Sequence, residues 1–547
     1  MTDIASLSAL RRVPAPINEP INSYAPGTPA RAELKARLDS MSKEHVEIPL
    51  IIGGKEVRTG DTFDAVMPFK HGHKLATVHS AGPKEVQQAI DAATAARREW
   101  ASWAWEDRAA IMLKAAELLA GPWRATLNAS TMLGQAKTAF QTEIDAACEL
   151  IDFLRFNVSY AQDLYSEQPF SGPGVWNQLE YRGLEGFIYA VSPFNFTAIG
   201  GNLSSAPALM GNTVVWKPAS SSMLSAYYVM RLFEAAGMPP GVINFIPGTN
   251  AGQITDTVLA SKDFGGIHFT GSTAVFNSMW KTVGANMSNY KSYPRLVGET
   301  GGKDFIVAHP SADAMEVAVA LVRGSFEYQG QKCSAASRVY VPQSLWPKVK
   351  EYALDMIKHI KMGDVRDFRN FMSAVIDKKS FDKISEYLAD AKKNATIVAG
   401  GGAKGDEGYF IEPTIVETKD PAYRLMCEEI FGPVVTVYAY PDSKWIETLE
   451  IVDKTSPYAL TGAIFANDRK AVREGMSALR NAAGNFYLND TPTGAVVGQQ
   501  PFGGARASGT NDKAGSKLNL IRWVSTRTIK ETFVPPRDHR YPFMDAE

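Results

Sequence analysis

From Gly186 onward the chain alternates between two kinds of segment. Short apolar runs at 187–191, 213–216, 242–246 and 266–269 have strand length, and helical periodicity fills 199–210, 222–236 and 251–260 between them. Short loops rich in Gly and Pro join them. Such alternation predicts a parallel, doubly wound sheet with helices on both faces. It also predicts where a ligand sits, because these sheets bind beyond the carboxyl ends of their strands. A second series of strands follows at 305–308, 339–341, 434–440, 463–465 and 485–488. At 547 residues the chain exceeds one ordinary core, so two α/β domains are expected, with the boundary near Val297.

The flanking segments are less regular. Residues 1 to about 50 read as an arm, rich in Pro and polar residues up to Gly27 and helical over 31–41. A hairpin is expected at 48–57 with its turn at Gly53-Gly54, and helices at 84–98, 105–119 and 139–162. Residues 175–181 and 520–533 both read as extended. They could pair as a projecting oligomerisation ribbon, or be two ordinary edge strands.

Composition narrows the function classes. A net charge of −1 gives no basic field for nucleic acid or anionic lipid. No apolar run reaches the ~18 residues of a membrane span. Three cysteines, Cys148, Cys333 and Cys427, are too few for a disulfide framework and point to a reducing compartment. Arg11 and Arg12 precede no hydrophobic stretch, so no secretory signal is expected, and Asp3 and Glu19 make a poor organelle-targeting peptide. The expected location is the cytoplasm, or the mitochondrial matrix in a eukaryotic source. No metal site is expected.

One cysteine stands apart. Cys333 lies in Tyr328-Gln-Gly-Gln-Lys-Cys333-Ser-Ala-Ala-Ser337, a run of small and polar residues, with Lys332 beside it. Positive charge and a helix N-terminus there would favour the thiolate. Packing is the commoner use of a cysteine, so the other segments decide. Asn195, in Ser192-Pro-Phe-Asn195-Phe196 after the first strand, can aim an amide N–H at a developing oxyanion, or simply form a turn. Lys217 after the second strand can bond a nucleotide, or be a solvated loop lysine. Phe269-Thr-Gly271-Ser272-Thr273 opens a helix whose N–H groups can meet a pyrophosphate, though N-caps look the same. Glu299, in Glu299-Thr-Gly-Gly-Lys303, has room beside it for a water, which suits a general base; an exposed turn is the bland alternative. Cys427-Glu-Glu429-Ile-Phe431-Gly-Pro433 offers a carboxylate for ribose hydroxyls and a ring for a nicotinamide, or is a surface loop.

Together and in this order these segments resemble the aldehyde dehydrogenase superfamily over roughly residues 61–533. The resemblance implies an α/β fold of two doubly wound domains plus a β-hairpin oligomerisation flap. Residues 1–165 and 186–297 would form the NAD-binding domain, 298–495 the catalytic domain, and 166–185 with 515–547 the flap of a homo-oligomer, a dimer or larger. It implies Cys333 as nucleophile, Glu299 as base and Asn195 as oxyanion donor. NAD would be held by Lys217, Ser220, Gly271, Ser272, Thr273, Glu429 and Phe431.

The stretch Asn489-Asp-Thr-Pro-Thr-Gly494-Ala495 through Phe502 and Thr510 resembles the substrate loop of the branch acting on L-glutamate γ-semialdehyde. There Gly494, Ala495 and Ser334 would grip the substrate's α-carboxylate, and Phe196 and Phe502 would enclose its methylenes. Ala495 stands where some relatives have Ser. Ser220 stands where many NAD-specific relatives have Glu, so a 2′-phosphate is not repelled. Thr300 stands where the wider superfamily commonly has Leu, and the sequence supplies no reason for it.

Overall fold

The computed structural model describes residue 9 and residues 11–547. The start of the expected arm, with Asp3, lies outside them. Two seven-stranded sheets form the body. In spatial order the first runs Arg295–Glu299, Phe264–Thr270, Phe187–Val191, Val214–Lys217, Ile243–Phe245, Leu50–Ile52 and Lys55–Val57. Its first five strands are parallel; the last two form the hairpin and join antiparallel through Ile51 and Phe245. The hairpin turns on Gly53 and Gly54, both left-handed, at φ 57° and 75°. Gly54 also packs so tightly that a Cβ would lie 2.8 Å from Pro240.

The second sheet runs Thr396–Ala399, Thr414–Thr418, Val434–Tyr440, Ala336–Pro342, Asp304–Ala308, Thr461–Phe465 and Asn485–Leu488. All are parallel except Thr396–Ala399 at the edge. Helices cover both faces, and the central strands, such as Phe187–Val191 and Ala336–Pro342, are largely buried, as covering on two sides demands. Trp216 shows how polar atoms are settled in such a core: it is fully buried, and its indole N–H donates to Ser192 Oγ at 3.0 Å.

Three features depart from the sequence expectation. Strand Arg295–Glu299 belongs to the first sheet, pairing Thr270 with Glu299, so it runs across the expected boundary at Val297. The chain passes to the second sheet over residues 300–303. The helix expected at 139–162 is interrupted: Ala139–Thr142 leads into a π-helix, Glu143–Glu149, before Leu150–Ser166 resumes α geometry. The ribbon strand begins at Val524, after a short helix at Lys517–Leu520.

Val175–Gly183 and Val524–Thr532 pair antiparallel from end to end, Val175 opposite Thr532 and Gly183 opposite Val524. Asn212 ties the two roots of this ribbon to the body. Its Oδ1 accepts from Leu184 N at 2.8 Å and its Nδ2 donates to the Trp523 carbonyl at 2.8 Å. Asn212 is fully buried. Replacing it with Ala strands a buried N–H and a buried carbonyl, so Asn212→Ala should cost about 2–4 kcal/mol. A denaturant midpoint equal to that of the parent chain would refute the tie.

Candidate active site

Three segments meet at Cys333. The first is the turn after helix Ala314–Phe326. Tyr328 and Gln329 take left-handed backbone at φ 51° and 56°, followed by Gly330 at 65°. Such strain persists only where the surroundings over-determine it. The Gln329 side chain does this: its amide donates to the carbonyls of Ala136 (3.1 Å) and Ala374 (2.7 Å), and its Oε1 accepts from Ser373 N at 2.9 Å. At Gly330 a Cβ would lie 2.3 Å from the Gly432 carbonyl oxygen.

The second segment carries Glu299 at the carboxyl end of its strand. Its Oε1 is buried with no protein partner among the described residues. Burial pushes the carboxyl up to about 8; the Lys513 ammonium pulls it down and Asp512 pushes it up. The glycines that follow permit close approach. A Cβ at Gly302 would lie 2.1 Å from the Cys333 carbonyl oxygen, and one at Gly301 would lie 2.6 Å from Glu429 Oε2. The third segment holds Asn195, whose Nδ2 donates to the Gln331 carbonyl at 3.0 Å. That fixes the amide and leaves its second N–H for a ligand.

Two cavities adjoin the sulfur from different sides, and Cys333, Phe269 and Thr270 line both. One is a crevice lined by Asn195, Lys217, Gly271, Ser272, Glu429 and Phe431. Ser272 caps helix Thr273–Ala285, accepting from Val275 N at 3.4 Å. Glu429 Oε1 accepts from Gly302 N at 2.9 Å. Phe431, left-handed at φ 62°, meets Phe194 edge-on at 5.8 Å. Lys217 is buried, and among the described residues its ammonium has one acceptor, the Pro218 carbonyl at 3.1 Å. Burial lowers that lysine to about 8. A buried ammonium with one acceptor has two N–H groups to offer, and a ribose supplies hydroxyl oxygens. The residues present therefore fit a dinucleotide. Ser220 is exposed at the start of a 3-10 turn, and Thr273 donates to the Ala507 carbonyl at 3.0 Å; neither lines the crevice.

The other cavity is lined by Glu299, Ser334, Phe196, Gly494, Ala495 and Phe502. Phe196 is held from behind by Lys137, whose Nζ lies 4.0 Å from the ring centroid. Lys137 is fully buried and pairs with Asp145 at 2.6 Å. The Asp145 carboxylate also accepts from Thr197 N (3.0 Å) and Ala198 N (2.9 Å), which fixes the helix start beside Phe196. Gly494 sits at φ 93°, a conformation a side chain would strain. Ser334 Oγ and Thr493 Oγ1 share a hydrogen bond of 2.8 Å, which joins the nucleophile's turn to the substrate loop.

Comparison with known proteins agrees with this arrangement. The description "Aldehyde dehydrogenase family" matches residues 56–529. The chain belongs to the aldehyde dehydrogenase family. A Dictyostelium discoideum protein named delta-1-pyrroline-5-carboxylate dehydrogenase, mitochondrial, is 52% identical over 98% of this chain and 97% of the relative. A Homo sapiens protein of the same name is 52% identical over 96% and 94%. A crystal structure of the Mycobacterium tuberculosis Delta-pyrroline-5-carboxylate dehydrogenase bound with NAD superposes with a TM-score of 0.95 at 50% identity, covering 99% of this chain and all of that one.

In this aldehyde dehydrogenase the electrostatics of Cys333 differ from the sequence expectation. Lys332 turns away to Glu327, at 3.1 Å, and Cys333 sits in a turn rather than at a helix N-terminus. Burial, then the carboxylates of Glu299, Asp304 and Glu429, push the thiol well above its ordinary value. Thr300, unexplained in the sequence, donates to the Ala507 carbonyl at 2.6 Å, the same oxygen that Thr273 uses. A leucine there would forfeit that bond between the glycine run and the 505–510 loop.

Three charged residues of this cavity escaped the sequence reading: Glu149, Asp512 and Lys513. Glu149 ends the π-helix, and burial holds its carboxyl well above the usual range. Lys513 is gripped by the carbonyls of Gly484 (2.8 Å) and Gly503 (3.0 Å). Asp512 and Lys513 gave a weak signal because a charge in a loop usually reads as solvated.

Burial raises the working range of Glu299, and Lys513 counters it. A base acts when ionised, so activity limited by that step should rise with pH through about 8. Lys513→Met removes the cation that favours the ionised form, so the rising limb should move to higher pH. A limb that stays in place or moves to lower pH would show that Glu299 does not govern it.

Proposed function

We propose that this aldehyde dehydrogenase oxidises L-glutamate γ-semialdehyde, the open form of 1-pyrroline-5-carboxylate, to L-glutamate with NAD as oxidant. One observation carries the substrate assignment. The cavity beside Cys333 puts aromatic walls, Phe196 and Phe502, next to the sulfur's surroundings and a set of polar groups, Gly494, Ala495, Ser334, Lys332 and Glu149, in the same enclosure. The Gly494 and Ala495 amides donate to no carbonyl among the described residues, so they are free to meet a carboxylate, which a simple aliphatic aldehyde lacks. An α-amino acid ending takes both signs of charge. The names of the relatives support the same reading.

Within this reading the residues divide the work. The Cys333 sulfur adds to the aldehyde carbon as the thiolate, after its proton has passed to solvent through the cavity that Cys333 lines. The Asn195 amide N–H, held by the Gln331 carbonyl, stabilises the oxyanion that forms. Lys217, Gly271, Ser272, Glu429 and Phe431 would hold NAD in the crevice, where its nicotinamide would supply the hydride acceptor that turns this adduct into a thioester. Glu299 then takes a proton from water, and the hydroxide displaces the sulfur to give the carboxylate product. The unpartnered Oε1 of Glu299 offers an acceptor for that water. Phe196, braced by Lys137, and Phe502 hold the methylenes between the sulfur and the polar end.

Ala495 lacks the hydroxyl of some relatives, but its backbone amide remains and the Ser334–Thr493 hydroxyl pair stands nearby. The ribbon exposes Trp176, with Phe170 and Val534 beside its ends, and a two-stranded ribbon is marginal alone, so we assign it to contact with a second copy. Among the described residues no helix is long and apolar enough to cross a membrane.

Cys333→Ser should abolish NADH formation from pyrroline-5-carboxylate while NAD binding persists, and near-normal turnover would refute the scheme. Asn195→Ala should lower kcat by roughly 10²–10³. Glutamate semialdehyde should exceed succinate semialdehyde and pentanal in kcat/KM; equal rates for all three would assign the enzyme to another aldehyde.

A further inference from the structure

The N-terminal arm braces the substrate cavity from outside, and Asn18 is its point of contact. Asn18 Nδ2 donates to Asp152 Oδ2 and to the Val497 carbonyl, both at 2.8 Å. Its Oδ1 accepts from Gln499 Nε2 at 3.0 Å. One amide thereby joins two cavity-lining segments that are far apart in sequence. Asp152 lies on helix Leu150–Ser166, three residues after Glu149 and one before Phe153, and both of those line the cavity. Val497 and Gln499 follow Gly494 and Ala495 in the substrate loop.

The loop is a tight turn packed on the helix. Gln499 N and Gln500 N both donate to the Val496 carbonyl, at 2.9 and 3.0 Å. At Gly498 a Cβ would lie 2.2 Å from the Phe156 ring. A tight turn seated on a helix has its orientation set by what holds its ends. The Ser334–Thr493 hydroxyl pair holds one end, and Asn18 holds the other.

The arm is itself anchored. Glu19 N donates to Asp152 Oδ1 at 2.8 Å, and the Glu19 carboxylate pairs with Arg124 and, at 2.8 Å, with Arg155. Asn22 N and Tyr24 Oη donate to Glu143 at 2.8 and 2.7 Å. Glu143 opens the π-helix that Glu149 closes. The arm thus grips the elements on either side of Glu149.

We propose that Asn18 is a positioning residue for substrate recognition. It sets the separation between the loop bearing the Gly494 and Ala495 amides and the helix that follows directly on Glu149, and so fits the cavity to the amino-acid end of the substrate. Asn18 touches no reacting atom. The proposal rests on the reading that those amides take the substrate's carboxylate.

The test compares substrates with and without that carboxylate. In Asn18→Ala the KM for glutamate semialdehyde should rise roughly tenfold, the effect of one or two net hydrogen bonds, with kcat little changed. The inhibition constant of L-glutamate, which binds without reacting, should rise by the same factor. The KM for NAD and the kcat/KM for pentanal should not move. Asn18→Asp keeps the shape but sets a second carboxylate against Asp152 and removes both donors, so its effect should be at least as large. Gln499→Ala, which alters only an exposed side chain, should reproduce part of the rise. An equal loss with pentanal and glutamate semialdehyde would make Asn18 a mere structural clamp, and an unchanged KM for glutamate semialdehyde would also overturn the proposal. If the unaltered enzyme itself does not prefer glutamate semialdehyde to pentanal, the carboxylate reading fails first, and that result is separate from anything seen in the variants.

Discussion

Two backbone segments approach each other at the catalytic centre more closely than any side chain would allow. Gly301 and Gly302 lie where the chain leaves the first sheet for the second, against the Glu429 carboxylate and the Cys333 carbonyl. The Gly302 N–H uses that proximity, donating to Glu429 Oε1. The base on one side of the glycines, the nucleophile's turn and the wall of the crevice are thereby locked to a single reference point. A Cβ at either position would push the sulfur and the carboxylate apart, and a misplacement of about 1 Å at a reacting centre can cost 10²-fold in rate.

Burial at this junction has a consequence for charge. Burial is the largest influence on Cys333, Glu299, Glu149, Lys217 and Lys303, and in each case it favours the neutral form. Carboxylates near the sulfur add to that effect rather than oppose it. Burial thus opposes charge on each of these groups, and charge that develops during reaction depends on donors already in place, such as the Asn195 amide. Preorganised donors are worth most in such surroundings, since they need no rearrangement as charge develops.

Much of the frame was legible because strand and helix periods leave strong marks. Phe187–Val191, Val434–Tyr440 and Asn485–Leu488 are apolar runs bounded by turn residues, and each is a strand. Thr414–Thr418 and Thr396–Ala399 escaped notice because they are short and mixed in polarity, and Thr396–Ala399 is an edge strand. The motif residues Cys333, Glu299 and Asn195 announced themselves by odd company: a thiol, a carboxylate and an amide among glycines and small residues. Lys332 misled, since adjacency in sequence says nothing about where a long side chain turns, and Glu327 captured it. Glu149 and Asn18 were invisible for a related reason. One sits in a π-helix that periodicity reads as ordinary helix, and the other acts only through residues more than a hundred positions away.

Recognition of the substrate's distal end follows a different logic from catalysis. The reacting atoms are held by strand ends and glycine turns, where backbone geometry leaves little freedom. The Gly494–Ala495 amides sit instead on a loop, and loops are placed by whatever grips them. Backbone donors also lack the adjustability of side chains: an amide N–H moves only if the whole turn moves. A loop that reads a carboxylate through its backbone must therefore be held from several directions at once. Here the nucleophile's own turn supplies one hold through Ser334 and Thr493, Phe156 supplies a floor beneath Gly498, and Asn18 supplies the third. The arm is thus part of the cavity's architecture although it contributes no atom to its lining, which explains why so much buried charge, from Glu19 to Glu143, is committed to keeping it in place.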